Sequence, residues 1–224
     1  MARRIKTFGG QHQTLPIKDD RQLKAFMYHL LSKRDAAKTE IKRYQADRNW
    51  MLCDVGFNTA FRAEDLLQLR VCDLIDGYVH IRENKTGKVQ NFRMNKQLKK
   101  DIQEYVERNH LGKYDYMFRG QKKIVDGKAY IYPITRQMAH KIVSETAKEV
   151  GIGFTFGIHS LKKTFGYMYI KDGGKPETLM KMYNHDNYNV TMLYVCWGKD
   201  DAEKDRASRY LGIRKKNKKY EKRE

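Results

Sequence analysis

The chain has 224 residues and a formal net charge of +19 at pH 7, from 46 Lys and Arg against 27 Asp and Glu. This length suits one large domain, and the excess of positive charge indicates a polyanionic partner, with nucleic acid as the first expectation. A membrane surface is the competing partner, but the basic residues are spread along the chain and no apolar run is long enough to span a bilayer.

The amino-terminal segment, residues 1–18, is polar and basic and contains no apolar signal-peptide core. We therefore expect a basic arm there and a cytoplasmic protein with no membrane association. The cysteines are odd in number and lack CxxC or Cys/His ligand spacing, which favours buried reduced thiols over a zinc site or a disulfide framework; they are Cys53, Cys72 and Cys196.

Helical spacing of apolar residues begins after this arm. A first amphipathic helix is predicted over residues 19–34 and a second over residues 36–59, which Gly56 is expected to end or loosen. A short helix over residues 63–74 follows. The second helix is predicted to turn these side chains toward the core: Ile41, Tyr44, Trp50, Leu52 and Val55.

Strand periodicity is confined to residues 77–95, where alternating residues flank the turn-forming sequence NKTGK and predict a β-hairpin. A short hairpin is also compatible with the later sequence GKAYIYP. Helices are predicted over residues 96–110, 134–151, 159–173, 176–183 and 187–197, with a last helix beginning near residue 200.

These patterns predict a fold that is mainly α with a small antiparallel β-sheet, an α+β class. We divide the chain into a basic arm at residues 1–18, one domain at residues 19–212 and a basic tail at residues 213–224. No internal repeat, P-loop or GxGxxG sequence occurs.

Each basic residue that is a candidate for catalysis has a structural explanation when it is taken alone. Arg62 is compatible with a surface cation, Lys85 with an exposed turn residue, and His159 with the start of a helix. Their order and spacing, together with later residues, change that judgement.

Four segments occur in an order that resembles the catalytic domain of the tyrosine recombinases, the phage-integrase family: FNTAFRAEDLLQLRVCDL, NKTGK, HSLKKTFGY and YNHDNYNVTMLYV. The resemblance runs from about residue 16 to residue 210. The family pattern has an arginine in R-x-x-E-L, a hairpin lysine, H-x-x-R, and a histidine or tryptophan nine residues before the nucleophilic tyrosine. The matching catalytic positions are Arg62, Lys85, His159, Lys162, His185 and Tyr194, with Asp65 at the place of the helix acid.

The resemblance implies a site-specific recombinase or integrase that cleaves and rejoins double-stranded DNA through a covalent 3′-phosphotyrosyl intermediate. Phosphodiester transfer adds negative charge to the non-bridging oxygens, and cations held around them stabilise the transition state. No metal or other cofactor is then required. Positive surroundings are also expected to lower the pKa of Tyr194 from its ordinary value of about 10.

Each matched residue has an expected role in that reaction. Arg62 would clamp the phosphate with two hydrogen bonds, and His185 would donate another. His159 would donate to the phosphate or help to deprotonate Tyr194. Lys85, on the hairpin, would protonate the 5′ oxygen that leaves.

Position 162 departs from the pattern, because lysine replaces the arginine of H-x-x-R. Lysine offers a point charge without the fixed pair of donors, so a rate loss on the order of 10²- to 10³-fold is expected. Lys163 follows directly but points about 100° further round a helix, so it is not expected to substitute.

The length is the second departure, because family members commonly carry an amino-terminal helical domain that completes a clamp on DNA. Either the chain is an isolated catalytic domain, or it is a minimal recombinase in which the basic arm MARRIK partly closes the clamp. The last helix either folds back as an ordinary terminal helix or packs on a neighbouring protomer in a tetramer. Leu211 and Ile213 would supply the apolar contact in either case.

Other functions remain compatible with parts of the sequence. An integrase-like DNA-binding regulator with weak or no catalysis fits the lysine at position 162. A type IB topoisomerase shares the tyrosine chemistry. An RNA-binding or ribosomal protein fits the charge alone but leaves the ordered motif unexplained.

Overall fold

Helices form most of the structure. It is a computed structural model, which describes residues 14–209 apart from the side chains of Ile75 and Asp76. Within those residues the helices are α1 (Asp20–Asp35), α2 (Glu40–Thr59), α3 (Ala63–Gln68), α4 (Lys96–Arg108), α5 (Arg136–Glu149), α6 (Ile158–Lys171), α7 (Pro176–Tyr183), α8 (Tyr188–Tyr194) and α9 (Lys199–Ser208). The strands are β1 (Tyr78–Arg82), β2 (Val89–Arg93), β3 (Arg119–Val125) and β4 (Lys128–Pro133), and a 3-10 helix covers Val71–Gly77. The predicted class, mainly α with small antiparallel sheets, is confirmed.

The helix starts follow from the polar residues that precede them. The side chains of Asp19, Thr39 and Thr135 accept hydrogen bonds from backbone N–H groups in the first turns of α1, α2 and α5. Asn187 does the same for α8, accepting from the N–H groups of Asn189 and Val190. Because these N–H groups have no partner inside the helix, the caps stabilise each start.

The core is centred on α2, which packs against α1, α4 and α6. Phe26 of α1 makes edge contacts with Phe57 and Phe156, at ring-centroid distances of 5.7 and 5.5 Å. Leu52 and Val55 are fully buried as predicted, whereas Tyr44 and Trp50 are only half-buried. The prediction for Ile41 is wrong, because α2 begins just before it at Glu40 and the first turn lies outside the packed region, leaving that side chain 72% exposed.

Gly56 does not end or loosen α2, which continues to Thr59. A Cβ at position 56 would lie 2.6 Å from Cδ1 of Leu161 and 3.3 Å from Cδ2 of Leu66. The glycine therefore serves a close approach of α2 and α6. A sequence pattern cannot separate a helix-breaking glycine from one that allows close packing, since both lack a side chain.

Two separate antiparallel hairpins form, one around NKTGK and one that includes GKAYIYP, where the sequence is compatible with a short hairpin. The first pairs Tyr78 with Arg93 and Arg82 with Val89, which confirms the hairpin around NKTGK. The second pairs β3 with β4 through the two-residue turn at Asp126 and Gly127, both at positive φ. Asp-Gly is a strong signal for such a turn.

Further boundaries differ from expectation. The predicted helix over residues 63–74 divides into α3 and the 3-10 helix. The cysteines are free thiols as predicted, but only Cys53 is fully buried. Most of the basic arm (residues 1–13), and the tail with Leu211 and Ile213, lie outside the described residues. No helix within residues 14–209 is long and apolar enough to cross a bilayer.

Candidate active site

Four chain segments bring the predicted residues toward one another. Arg62 is the N-cap residue of α3 and follows a sharp reversal at Ala60, whose φ of 58° lies in the left-handed region. His159 and Lys162 lie one turn apart near the start of α6. His185 follows α7, and Tyr194 is the last residue of α8.

Arg62 makes an ion pair with Glu83, a residue that the sequence did not single out. Nη1 of Arg62 lies 2.6 Å from Oε2 of Glu83, whose side chain is 4% exposed. The same carboxylate accepts hydrogen bonds from Thr86, Gln90 and Asn184. Burial opposes ionisation of Glu83, but these hydrogen bonds and Arg62 together lower its pKa to about 2. Arg62 is thus oriented by a charged partner, and within residues 14–209 its other guanidinium nitrogens have no hydrogen-bond partner and are available to a ligand.

The β1–β2 hairpin is held to α3 at its turn. Oδ1 of Asp65 accepts a hydrogen bond of 2.8 Å from the N–H of Asn84. Lys85 is the next residue, and its side chain is exposed and makes no hydrogen bond or ion pair with the described part of the chain. The structure thus fixes the turn beside Arg62 while leaving the lysine free to extend.

Lys162 lies on the face of an aromatic ring. Its Nζ is 4.3 Å from the ring centroid of Tyr183, and the Tyr183 hydroxyl donates to the backbone carbonyl of Lys162. Burial, with a smaller effect from the positive charge of Arg62, lowers the pKa of Lys162 to about 8. Within residues 14–209 the ammonium has no acidic side chain in ion-pair contact.

His185 and Tyr194 are adjacent aromatic rings. Their centroids are 5.6 Å apart, and each packs edge-on against Tyr183. Nδ1 of His185 lies 3.1 Å from Oγ1 of Thr191, whose own hydroxyl donates to the Asn187 carbonyl. Since that hydroxyl hydrogen is already used, Nδ1 of His185 is the donor and Nε2 is left for other contacts.

The prediction that nearby positive charge lowers the pKa of Tyr194 is wrong for the free protein. Burial raises the pKa of Tyr194 to about 12, although Arg62 acts in the opposite direction. Burial also lowers the pKa of His185, and Lys162 and Arg62 lower it further. Desolvation therefore outweighs the local positive charge, because water that would solvate the phenolate is excluded.

His159 contacts Arg136, the first residue of α5, which the sequence did not single out either. Nη2 of Arg136 lies 2.8 Å from Nε2 of His159. Burial lowers the pKa of His159, as do the charges of Arg136 and Lys163. The imidazole is thus neutral near pH 7.

Lys163 contacts both the amino-terminal segment and the ring of Tyr194. Its Nζ donates to the carbonyl of Thr14 at 2.7 Å and lies 5.3 Å from the ring centroid of Tyr194. It links the amino-terminal segment to the tyrosine. Residues 14–209 contain no group of three or more His, Cys, Asp or Glu side chains that could hold a metal ion.

Sequence reasoning missed Glu83, Tyr183 and Arg136 for a common reason. Each acts through a contact across 21 to 23 positions of sequence, to Arg62, Lys162 and His159 respectively. One signal was available for Glu83, an acidic residue two positions before the hairpin lysine in an otherwise basic turn. No comparable signal marks the other two.

Comparison with known proteins shows that most of the chain matches one protein family. Residues 22–199 match the family model described as "Phage integrase family". The chain is 31% identical over 160 residues to the "Probable integrase/recombinase YoeC" of Bacillus subtilis (strain 168), which covers 70% of this chain and 83% of that protein.

Solved structures share the fold. The crystal structure of XerA recombinase matches with a TM-score of 0.63 at 16% identity, covering 91% of this chain and 68% of that one. XerH site-specific recombinase, in a post-cleavage complex bound to its palindromic difH substrate, also matches with a TM-score of 0.63 at 19% identity. That match covers 87% of this chain but only 53% of XerH, so the chain spans about half of that protein.

Proposed function

The chain belongs to the phage integrase family, and from this premise we propose how its residues divide the work of breaking and rejoining DNA. As a member of the family, it is a tyrosine recombinase, an enzyme of site-specific recombination. The observation that carries the residue assignment is the cluster of three rings, in which His185 and Tyr194 pack edge-on against each other and against Tyr183. The ammonium of Lys162 lies over the Tyr183 ring of the same cluster.

Tyr194 is the proposed nucleophile. Its oxygen loses a proton and attacks the phosphorus, forming a 3′-phosphotyrosyl bond while the bond to the 5′ oxygen breaks. Lys85 gives a proton to that leaving oxygen. The 5′ hydroxyl of another strand then attacks the phosphotyrosine, which restores the phosphodiester and releases Tyr194 without an external energy source.

The cations stabilise the charge that develops on the phosphate. Arg62, oriented by Glu83, presents its available nitrogens, and Lys162 adds a point charge from the face of Tyr183. His185 donates through Nε2 as an imidazolium, because Nδ1 is committed to Thr191. A bound phosphate favours that protonation, since an adjacent negative charge raises the pKa of a histidine. His159, with Nε2 unprotonated, is the candidate acceptor for the Tyr194 proton.

The proposed substrate is double-stranded DNA, and we place the protein in the cytoplasm. The net charge of +19 and the DNA-bound XerH structure of similar fold support that choice of substrate. We also propose a homo-oligomer, a tetramer, on DNA. Its support is an opening of about 1000 Å³ beside α8 and α9, lined by Trp197 and by Leu193, which is 71% exposed.

A nicked suicide substrate tests the assignment, because loss of a short fragment after cleavage traps the covalent adduct. The native protein should form an adduct slowly, Tyr194→Phe should form none, and Lys162→Arg should form it on the order of 10²-fold faster. Denaturing gel electrophoresis measures the adduct. Tyr188→Phe is the matched control, since Tyr188 lies on the same helix with 48% exposure and should leave the rate unchanged.

Two results would contradict the proposal. An adduct that persists in Tyr194→Phe would assign the nucleophile to another residue. Absence of any adduct in both the native protein and Lys162→Arg would favour the DNA-binding regulator over the enzyme.

A further inference from the structure

Arg136 places a second guanidinium group next to the candidate active site. Its Nη2 lies 2.8 Å from Nε2 of His159. Its ion pair in the described chain is with Glu64, at 3.5 Å, and both side chains of that pair are about half exposed. Such an exposed pair contributes little, so the guanidinium can rearrange at small cost.

The contact with His159 determines which of the two side chains can donate a hydrogen bond to a phosphate. Arginine has only donors, so Nε2 of His159 must accept and the neutral ring must carry its hydrogen on Nδ1. In this arrangement His159 has no hydrogen at Nε2 to offer to a phosphate. The donor at this edge of the site is Arg136.

Arg136 carries a guanidinium group, which is the cation that the family pattern has at position 162 and this chain lacks there. The H-x-x-R pattern has its second guanidinium one helical turn after the histidine, where this chain has Lys162. The Lys162 ammonium lies over Tyr183 and cannot form a pair of parallel hydrogen bonds. Arg136 reaches the same histidine from α5, a different element.

The side chain of Arg136 is long enough to reach a phosphate oxygen beside His159. A phosphate oxygen that accepts a hydrogen bond from Nη2 of Arg136 would lie roughly 2.9 Å from that nitrogen, and Nη2 is itself 2.8 Å from Nε2 of His159. Rotation about the bonds of the exposed arginine side chain covers that distance. The rotation also frees Nε2 of His159 to accept the proton of Tyr194.

We propose that Arg136 is a catalytic residue, which binds the scissile phosphate and supplies from α5 part of the charge stabilisation that a guanidinium at position 162 would give. This inference rests on the proposed function of the same site. It predicts coupling between positions 136 and 162, because a guanidinium at position 162 would make Arg136 partly redundant.

A double-mutant cycle on the suicide substrate tests this coupling. The proteins are the native chain, Arg136→Gln, Lys162→Arg and the double variant, each at saturating concentration on DNA. Arg136→Gln should slow adduct formation on the order of 10²-fold in the native background, but by less than about 10-fold in Lys162→Arg. Arg21→Gln on α1, a 93% exposed arginine, is the matched control and should leave both rates unchanged.

Fluorescence anisotropy with the same DNA separates catalysis from binding. The proposal requires the rate loss at saturation, with the dissociation constants of the four proteins within a few-fold of one another. Equal rate losses in both backgrounds, or a loss confined to binding, would overturn the role of Arg136 while leaving the proposed function intact. Failure of both the native protein and Lys162→Arg to form an adduct would instead overturn the proposed function, and this inference with it.

Discussion

Burial determines how Lys162 behaves as a cation. Its side chain is 4% exposed, and burial lowers its pKa to about 8. Contact with the ring of Tyr183 offsets part of the lost hydration, because the ring face attracts a cation. An arginine at this position would stay charged at any physiological pH. A lysine in place of arginine at position 162 therefore changes the pH dependence of the reaction as well as the geometry of the hydrogen bonds to the phosphate.

The rate of the native protein should fall relative to Lys162→Arg as pH rises through about 8. Below that value Lys162 is charged in the free protein, and above it the charge is lost, while the guanidinium of the variant keeps its charge. Adduct formation at subsaturating protein reports ionisations of the free protein, and the ratio of the two rates cancels the titration of Tyr194. The measurement is this ratio between about pH 6.5 and 9.5. A ratio that stays constant would argue against a charged Lys162 at the phosphate.

At the scale of elements, the site depends on how closely α2, α3 and α6 approach. Gly56 lets α6 pack directly on α2, and α6 carries His159 and Lys162. At the other side, Asp65 of α3 holds the hairpin turn through Asn84. The positions of the proposed catalytic groups are therefore set by the packing of these helices and by the hairpin contact.

Gly56→Ala should destabilise the protein. Alanine gains about 1 kcal/mol over glycine in a helix, but the new Cβ would lie 2.6 Å from Cδ1 of the buried Leu161. Overpacking of this kind costs more than the gain, and we expect a net loss of about 1 to 2 kcal/mol. Thermal or urea unfolding measures it. Ile41→Ala in the same helix is the control and should change stability by less than about 0.5 kcal/mol, because Ile41 is exposed; a greater loss there than at Gly56 would refute this account of the packing.

For the whole molecule, charge is the dominant property. The chain carries +19 at pH 7, and exposed lysines and arginines occur on helices and hairpins alike. A surface of this kind binds DNA mainly through phosphates, with release of counterions. Affinity should then depend strongly on salt.

DNA affinity should fall by about 10³- to 10⁵-fold between 50 and 200 mM salt, as expected for roughly 6 to 10 phosphate contacts. Fluorescence anisotropy with duplexes of unrelated sequence measures this slope. Lys85→Gln should reduce the slope by about one if Lys85 lies against the backbone. A change below about 10-fold over this range would contradict a phosphate-dominated interface.

The sequence alone predicted most of the helices, the first hairpin and the family. These features depend on local properties, because caps, apolar spacing and turn residues act within a few positions of one another. The family pattern is likewise an order of short motifs along the chain. Where local signals were ambiguous, as at Gly56, or incomplete, as in the second hairpin, the predictions were wrong or partial.

Tertiary structure alone decided the partners and the ionisation of the site residues. Glu83 beside Arg62 and Arg136 beside His159 come from segments whose approach depends on the packed core. The pKa of Tyr194 was expected to fall with nearby positive charge, but burial raises it to about 12. Desolvation depends on every atom that excludes water from a group, and those atoms come from distant parts of the chain.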